Sequence, residues 1–309
     1  MNFLQPLFNL INRYVFSYVL RFFMTLTGDH FAFSIFLFTL VVNLVLIPLS
    51  IKSQKSAVSQ IKLKPKMDAI KKKYGDDRQK VSAATQKLYQ EEKVSMGGGC
   101  LPMIIRLVLV MAVYYLVISP LTYLTTLSAD SIKAAIEGLA QSNNYRAELL
   151  VVQEALKNGS GEIFEAIKNI RFDFFGIDLT QTPHFSMNFS QVTGEQLKLW
   201  IIPFLAFAAA MFSSVLSLLQ QKRINPDAPN MAGMMLTMPI LSLVIAFSAP
   251  AGLGFYWACS SLIGGVIQAL VQEFYGPSKM VAKEQMKSVL ALSEKEKKVR
   301  AVRTEQEQP

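Results

Sequence analysis

Five apolar runs of roughly membrane-crossing length divide this chain, and nothing else in it constrains the fold more. They fall at 31–50, 101–124, 199–219, 231–247 and 253–274. Hydrocarbon offers a backbone amide no partner outside its own segment, so each run is expected to be a helix. Hydrophobic residues make up 51% of the chain, and the 17% that are charged gather in blocks between the runs. An all-α membrane protein with five transmembrane helices is predicted. The fourth and fifth runs are joined by "SAPAGLG", a turn so short that the two helices are expected to be antiparallel neighbours.

The blocks set the orientation. Between Lys52 and Cys100 there are twelve Lys/Arg against five acidic residues, and from Gly276 onward eight against five. Between Thr125 and Lys198 the balance reverses to six against nine. Positive charge stays on the cytoplasmic side, which predicts an outside N-terminus and an inside C-terminus. With no transit-peptide pattern at the start, a bacterial plasma membrane is expected. The net charge of +9 then reports topology, and no DNA partner is expected.

Residues 1–30 carry an apolar stripe at Leu4, Leu7, Phe8, Ile11, Val15, Tyr18, Val19 and Phe22. Asn12, Arg13, Ser17 and Arg21 fall largely on the other side, as in an interfacial helix on the extracellular side. A core at 31–275 follows. Its cytoplasmic loop, 52–96, reads as a helical hairpin. Met67, Ile70 and Tyr74 would face Val81, Ala84 and Leu88, with Gly75 ending one arm, Asp76 or Asp77 capping the next, and Pro65 breaking or bending the first. The extracellular segment 125–198 reads as two or three short helices and an irregular end. Residues 276–309 form a basic cytoplasmic tail. Tyr256 and Trp257 read as interface anchors of the fifth span, and the methionines around Met235 as ordinary packing.

Polar residues inside the spans point to function. Arg106 lies five residues into the second span, about 7–8 Å along a helix. Asn43 sits in the cytoplasmic half of the first span, and Ser260, Ser261 and Gln268 in the fifth. A charge at mid-membrane costs roughly 2.5–3.5 kcal/mol on insertion scales, so it faces protein or water. No run holds an Asp or Glu before Glu273, so Arg106 has no anion built in. Snorkelling to the headgroups is the rival reading. The set otherwise describes a hydrophilic groove in the inner leaflet, open to the cytoplasm. His30 and His184 are the two histidines, and no Cys/His cluster has metal-ligand spacing. Neither an enzyme nor a metal or cofactor site is expected.

The stretches "IPLSIKSQKS", "GGGCLPMIIR", "FDFFGIDLTQTP" and "MPILSLVIAFSAPAGLGFYWACSS", with Gln268 after them, resemble the YidC-type membrane protein insertases over about 31–272. The resemblance implies five spans around an inner-leaflet groove, an interfacial helix and a cytoplasmic hairpin. It implies an insertase and chaperone that draws acidic or polar segments of nascent membrane proteins into a positively charged groove. Apolar segments then pass into lipid along neighbouring helices. The ribosome, through the tail, and the Sec translocon are candidate partners beside the bilayer. This sequence departs from the family at the groove: its arginine usually stands where Asn43 is here, and glutamine is common at Arg106. Ser261 stands where asparagine is common. A small transporter or channel is the alternative class, which would need polar residues through both leaflets.

Overall fold

The computed structural model describes residues 10, 12–92, 94, 101–139, 146–185, 193–224, 232–276, 279, 286, 289–290, 292–294 and 296. Within helices, the side chains at 55–58, 60–62, 64, 101–103, 106, 221, 223–224, 232 and 234 lie outside that description. A π-helical turn, Asn12–Phe16, leads into α1 (Ser17–Thr27) and α2 (Phe31–Val45). Next come α3 (Ile47–Tyr74), α4 (Arg78–Glu91), α5 (Leu101–Ile118) and the short α6 (Pro120–Leu124). Helices α7 (Ala129–Gly138), α8 (Ala147–Asn158) and α9 (Glu162–Ile167) precede a minimal hairpin of β1 (Asp173–Phe174) and β2 (Ile177–Asp178). The chain continues through α10 (Gly194–Leu199), α11 (Ile201–Ile224), α12 (Ala232–Ala246) and α13 (Ala251–Tyr275).

Prolines set two of the breaks. Pro48 has no N–H for the carbonyl of Leu44, and the helix turns over at Leu46 just before it. The second apolar run, expected to 124, ends at Ile118 because Pro120 cannot donate; Pro120 instead opens α6 at its first position. Among the described residues, Gly194–Gln220 and Ala251–Tyr275 are long and apolar enough to cross a membrane. Phe31–Val45 with Ile47–Gln54 adds a third if taken as one bent span, and Leu107–Ile118 and Met235–Ala246 are shorter apolar helices.

The chain divides into two compact units, residues 1–46 with 104–267, and residues 47–103 with 268–309. In the first, Phe31, Ile35 and Phe38 of α2 are buried in one core with Leu116, Leu121, Val152, Ile167, Leu179 and Ile202. Helix α1 has the expected amphipathicity, but polar residues of the helix and of the turn before it face protein, with Arg13 exposed. Asn12 is fully buried, donating from Nδ2 to the carbonyl of Ala112 at 2.9 Å, and Ser17 is buried as well. Tyr14, Tyr18, Phe22 and Leu26, spaced four apart, are 61–66% exposed. A helix in contact with lipid turns its apolar side outward, the reverse of one on a water-soluble core.

Lipid tails are as apolar as leucine, so helices in a bilayer associate through close packing of small residues. Along α11, Ile202, Ala206, Ala209 and Ser213 recur at helical spacing, matched on α13 by Gly254, Ala258, Ser261 and Gly265. Ala206, Ala209 and Ala258 form a buried cluster, and Cβ atoms on Gly254 and Gly265 would stand 2.9 Å and 2.8 Å from Ile202 and Ser213. Both indices rise together, so the two helices run parallel. Helix α12 packs along α11. Tyr256 is only 4% exposed and Trp257 half-buried against the alanine cluster, so neither is the interface anchor expected. The aromatic cluster at this end is Phe185, Trp200, Phe204 and Phe247.

In the second unit, α3 runs through Pro65 without a break. Gly75 takes a left-handed φ of +56° and Asp77 accepts from the Lys80 amide at 3.1 Å, ending one helix and capping the next. The two helices touch where the Tyr89 hydroxyl meets Met67 Sδ at 3.8 Å, and Lys66 pairs with Glu92. The hydrogen bonds from Lys80 hold the Asp77 carboxyl below its ordinary value.

Candidate functional site

The polar side chains of α2 bond to their own helix. Ser34 Oγ donates to His30 O at 2.8 Å, Thr39 Oγ1 to Ile35 O at 2.6 Å, and Asn43 Nδ2 to Thr39 O at 2.8 Å. Each reaches the carbonyl one turn back, which satisfies a donor that hydrocarbon would strand. Asn43 is half-buried, and among the described residues no donor reaches its Oδ1. It thus offers an acceptor near the C-terminal end of α2.

The other expected residues are placed less completely. Arg106 belongs to α5, but its side chain lies outside the described residues. Ser260 is 7% exposed and Ser261 half-buried. Ser261 shares the small-residue stripe that α13 turns toward α11. Gln268 is half-buried in the second unit, seven residues beyond Ser261 and so close to its helical face.

One turn beyond Arg106 the first unit holds a cavity of about 760 Å³ that sequence reasoning missed. Helix α5 contributes Val110, Met111, Tyr114, Tyr115 and Ile118, while Ile245, Leu253 and Trp257 line it from α12 and α13. Ser119, Thr122 and Ser248 add hydroxyls at its border. An apolar volume of this size with a few polar groups suits a side-chain cluster or an acyl chain. Its walls come from helices far apart in sequence, so no local pattern announces it.

Helix α6, which supplies Thr122 and Tyr123 to the wall, is held by opposite charges at its two ends. The Glu148 carboxylate accepts from the Thr122 amide at 2.9 Å and its hydroxyl at 2.7 Å. Arg21 donates from Nε to Tyr123 O at 2.9 Å and from Nη2 to Thr125 O. Acid at the N-terminus and base at the C-terminus is the arrangement that the helix dipole favours. Burial pushes the Glu148 carboxyl above its ordinary value, against the lowering effect of the Thr122 bonds.

The pattern of the family described as "60Kd inner membrane protein" matches residues 22–278. The membrane protein insertase YidC of Fusobacterium nucleatum subsp. nucleatum is 26% identical over 247 residues, spanning 80% of this chain and 85% of that relative. The protein of the same name from Pseudoalteromonas atlantica is 38% identical over 108 residues, 35% of this chain and 20% of its own. That of Legionella pneumophila strain Corby is 42% identical over 94 residues, 30% of this chain and 17% of its own. The chain thus matches most of one relative and about a fifth of the others.

Proposed function

The chain belongs to the 60Kd inner membrane protein family, and from that premise we propose that it inserts nascent membrane proteins into the bilayer and assists their folding. The single observation that carries the reading is the family match over 22–278, joined to a relative named as an insertase along 85% of its length. A transporter or channel finds no such support. The protein is a bacterial membrane protein, with five spans, the N-terminus outside and the C-terminus in the cytoplasm.

The working site is a hydrated groove in the inner leaflet bearing Arg106, Asn43, Ser260 and Ser261, with Gln268 further along the same helix. An acidic or polar segment of a nascent chain enters it from the cytoplasm. Opposite charges about 4 Å apart interact by roughly 4 kcal/mol at an effective dielectric near 20, against about 1 in bulk water. That attraction offsets part of the cost of drawing an acidic tail inward and is weak enough to allow release. Asn43 Oδ1, which no donor reaches among the described residues, supports a polar groove in which water or an incoming chain supplies the partner. The apolar part of the substrate leaves past α5 and α12, whose aromatic cavity adapts to varied side chains. The two contacting helices at 47–91 stand on the cytoplasmic side, and the basic tail meets the ribosome, with the Sec translocon as a second partner.

The test is insertion of a single-span substrate with an acidic N-terminus by Arg106→Ala and Arg106→Lys proteoliposomes. Loss in the alanine variant with retention in the lysine variant is expected. Full activity in both would remove the electrostatic role.

A further inference from the structure

The hairpin of β1 and β2 turns through Phe175 and Gly176, whose φ angles are +49° and +76°. Two positive φ values in a two-residue loop make the mirror-image type I turn, which Asn-Gly adopts readily. A bulky aromatic there is a steric outlier. Phe175 is nevertheless 86% exposed, so no burial within the protein accounts for an aromatic at this strained position. Backbone strain around an uncovered aromatic points to something outside the chain.

The position of the turn says what that is. An isolated bridge ties His30, just ahead of α2, to Arg171, with Phe31 N donating to Arg171 O at 3.0 Å and Arg171 N to Asp29 O at 2.8 Å. The Phe174 ring meets Phe175 at 4.8 Å and Phe33 at 6.4 Å. Phe33 and Phe36, three residues apart on α2, are 47% and 39% exposed. The tip thus continues the outward apolar face of α2 at the level of its first turns. If α2 is a span entered from outside, that level is the outer boundary between headgroups and hydrocarbon, where aromatic rings are favoured.

We infer that Phe175 is a membrane anchor: the hairpin tip inserts its ring into the outer-leaflet interface beside Phe33 and holds the extracellular segment against the bilayer. The inference rests on reading α2 as a span, and the experiment separates the two. Full-length Phe175→Trp and Phe36→Trp proteins are placed in vesicles of phosphatidylcholine brominated along its acyl chains. The emission of the parent, which carries Trp200 and Trp257, is subtracted. Both added indoles should be quenched, by roughly twofold or more. Quenching at 36 without quenching at 175 overturns the anchor and leaves the span standing; quenching at neither overturns both. As a second measurement, Phe175→Asn should match or exceed the parent's Tm in detergent, because asparagine accepts the left-handed backbone. A clear fall in Tm would mean that protein contacts hold the ring, and would overturn the anchor.

Discussion

Gly265 lies so close to Ser213 that a Cβ atom on the glycine would stand 2.8 Å from the serine hydroxyl and 3.0 Å from its Cβ. This contact sets how near α11 and α13 approach, and with it where α13 presents Ser260 and Ser261. Gly265→Ala forces the helices apart and should cost roughly 1–3 kcal/mol, read as a lower Tm in detergent. Ser213→Gly added to it should restore much of the loss, because the space returns.

Arg21 forks onto two carbonyls, those of Tyr123 and Thr125, at the end of α6. Arg21→Ala removes a charged donor pair from a half-buried site and should cost about 1.5–3 kcal/mol in thermal unfolding. Lysine should recover only part, since an ammonium does not reproduce the planar fork.

Glu148 gives the protein a pH signature. Its carboxyl is raised by burial, so the folded protein holds the proton more tightly than the unfolded chain does. The contribution is fully present below the ordinary glutamate value and is lost as pH rises through the raised folded value. Glu148→Gln keeps an oxygen for Thr122 and carries no charge. Its stability should therefore be flatter across that window than the parent's, as denaturation at a series of pH values would show.

Asn43 and Arg106 can be read by accessibility. Single cysteines at these positions, in a background with Cys100 and Cys259 replaced by Ser, should react with an impermeant thiol reagent added from the cytoplasmic side. Reagent added outside should leave them unmodified. Labelling from both sides would describe a pore.

Much of the fold was legible because lipid imposes a simple rule on sequence: long apolar runs become helices, and Pro48 and Pro120 mark where two of them break, although Pro65 and Pro239 lie inside helices. Phe31 begins α2 as the run predicted, and Gly75 and Asp77 take the turn and cap that their chemistry suits. What stayed hidden depends on contacts between distant segments. Periodicity separated the two edges of α1, yet nothing local said that Asn12 would find Ala112, a hundred residues away. "RFDFFGIDL" looked irregular because its strands are two residues each, and Phe-Gly is an unusual hairpin turn. At the site, Asn43 stood out as an amide among aliphatic residues. The cavity of Tyr114, Tyr115 and Trp257 did not, since aromatic residues in an apolar run look like packing.

The bond from Asn12 to Ala112 also has a mechanical meaning. Tension on the chain upstream of Asn12 would not peel α1 away as a loose surface paddle. It would travel through a side chain sealed from water into the middle of α5, the helix that bears Arg106 at one end and the cavity along its flank. Whatever pulls on the chain ahead of Asn12 therefore pulls on the wall of that cavity.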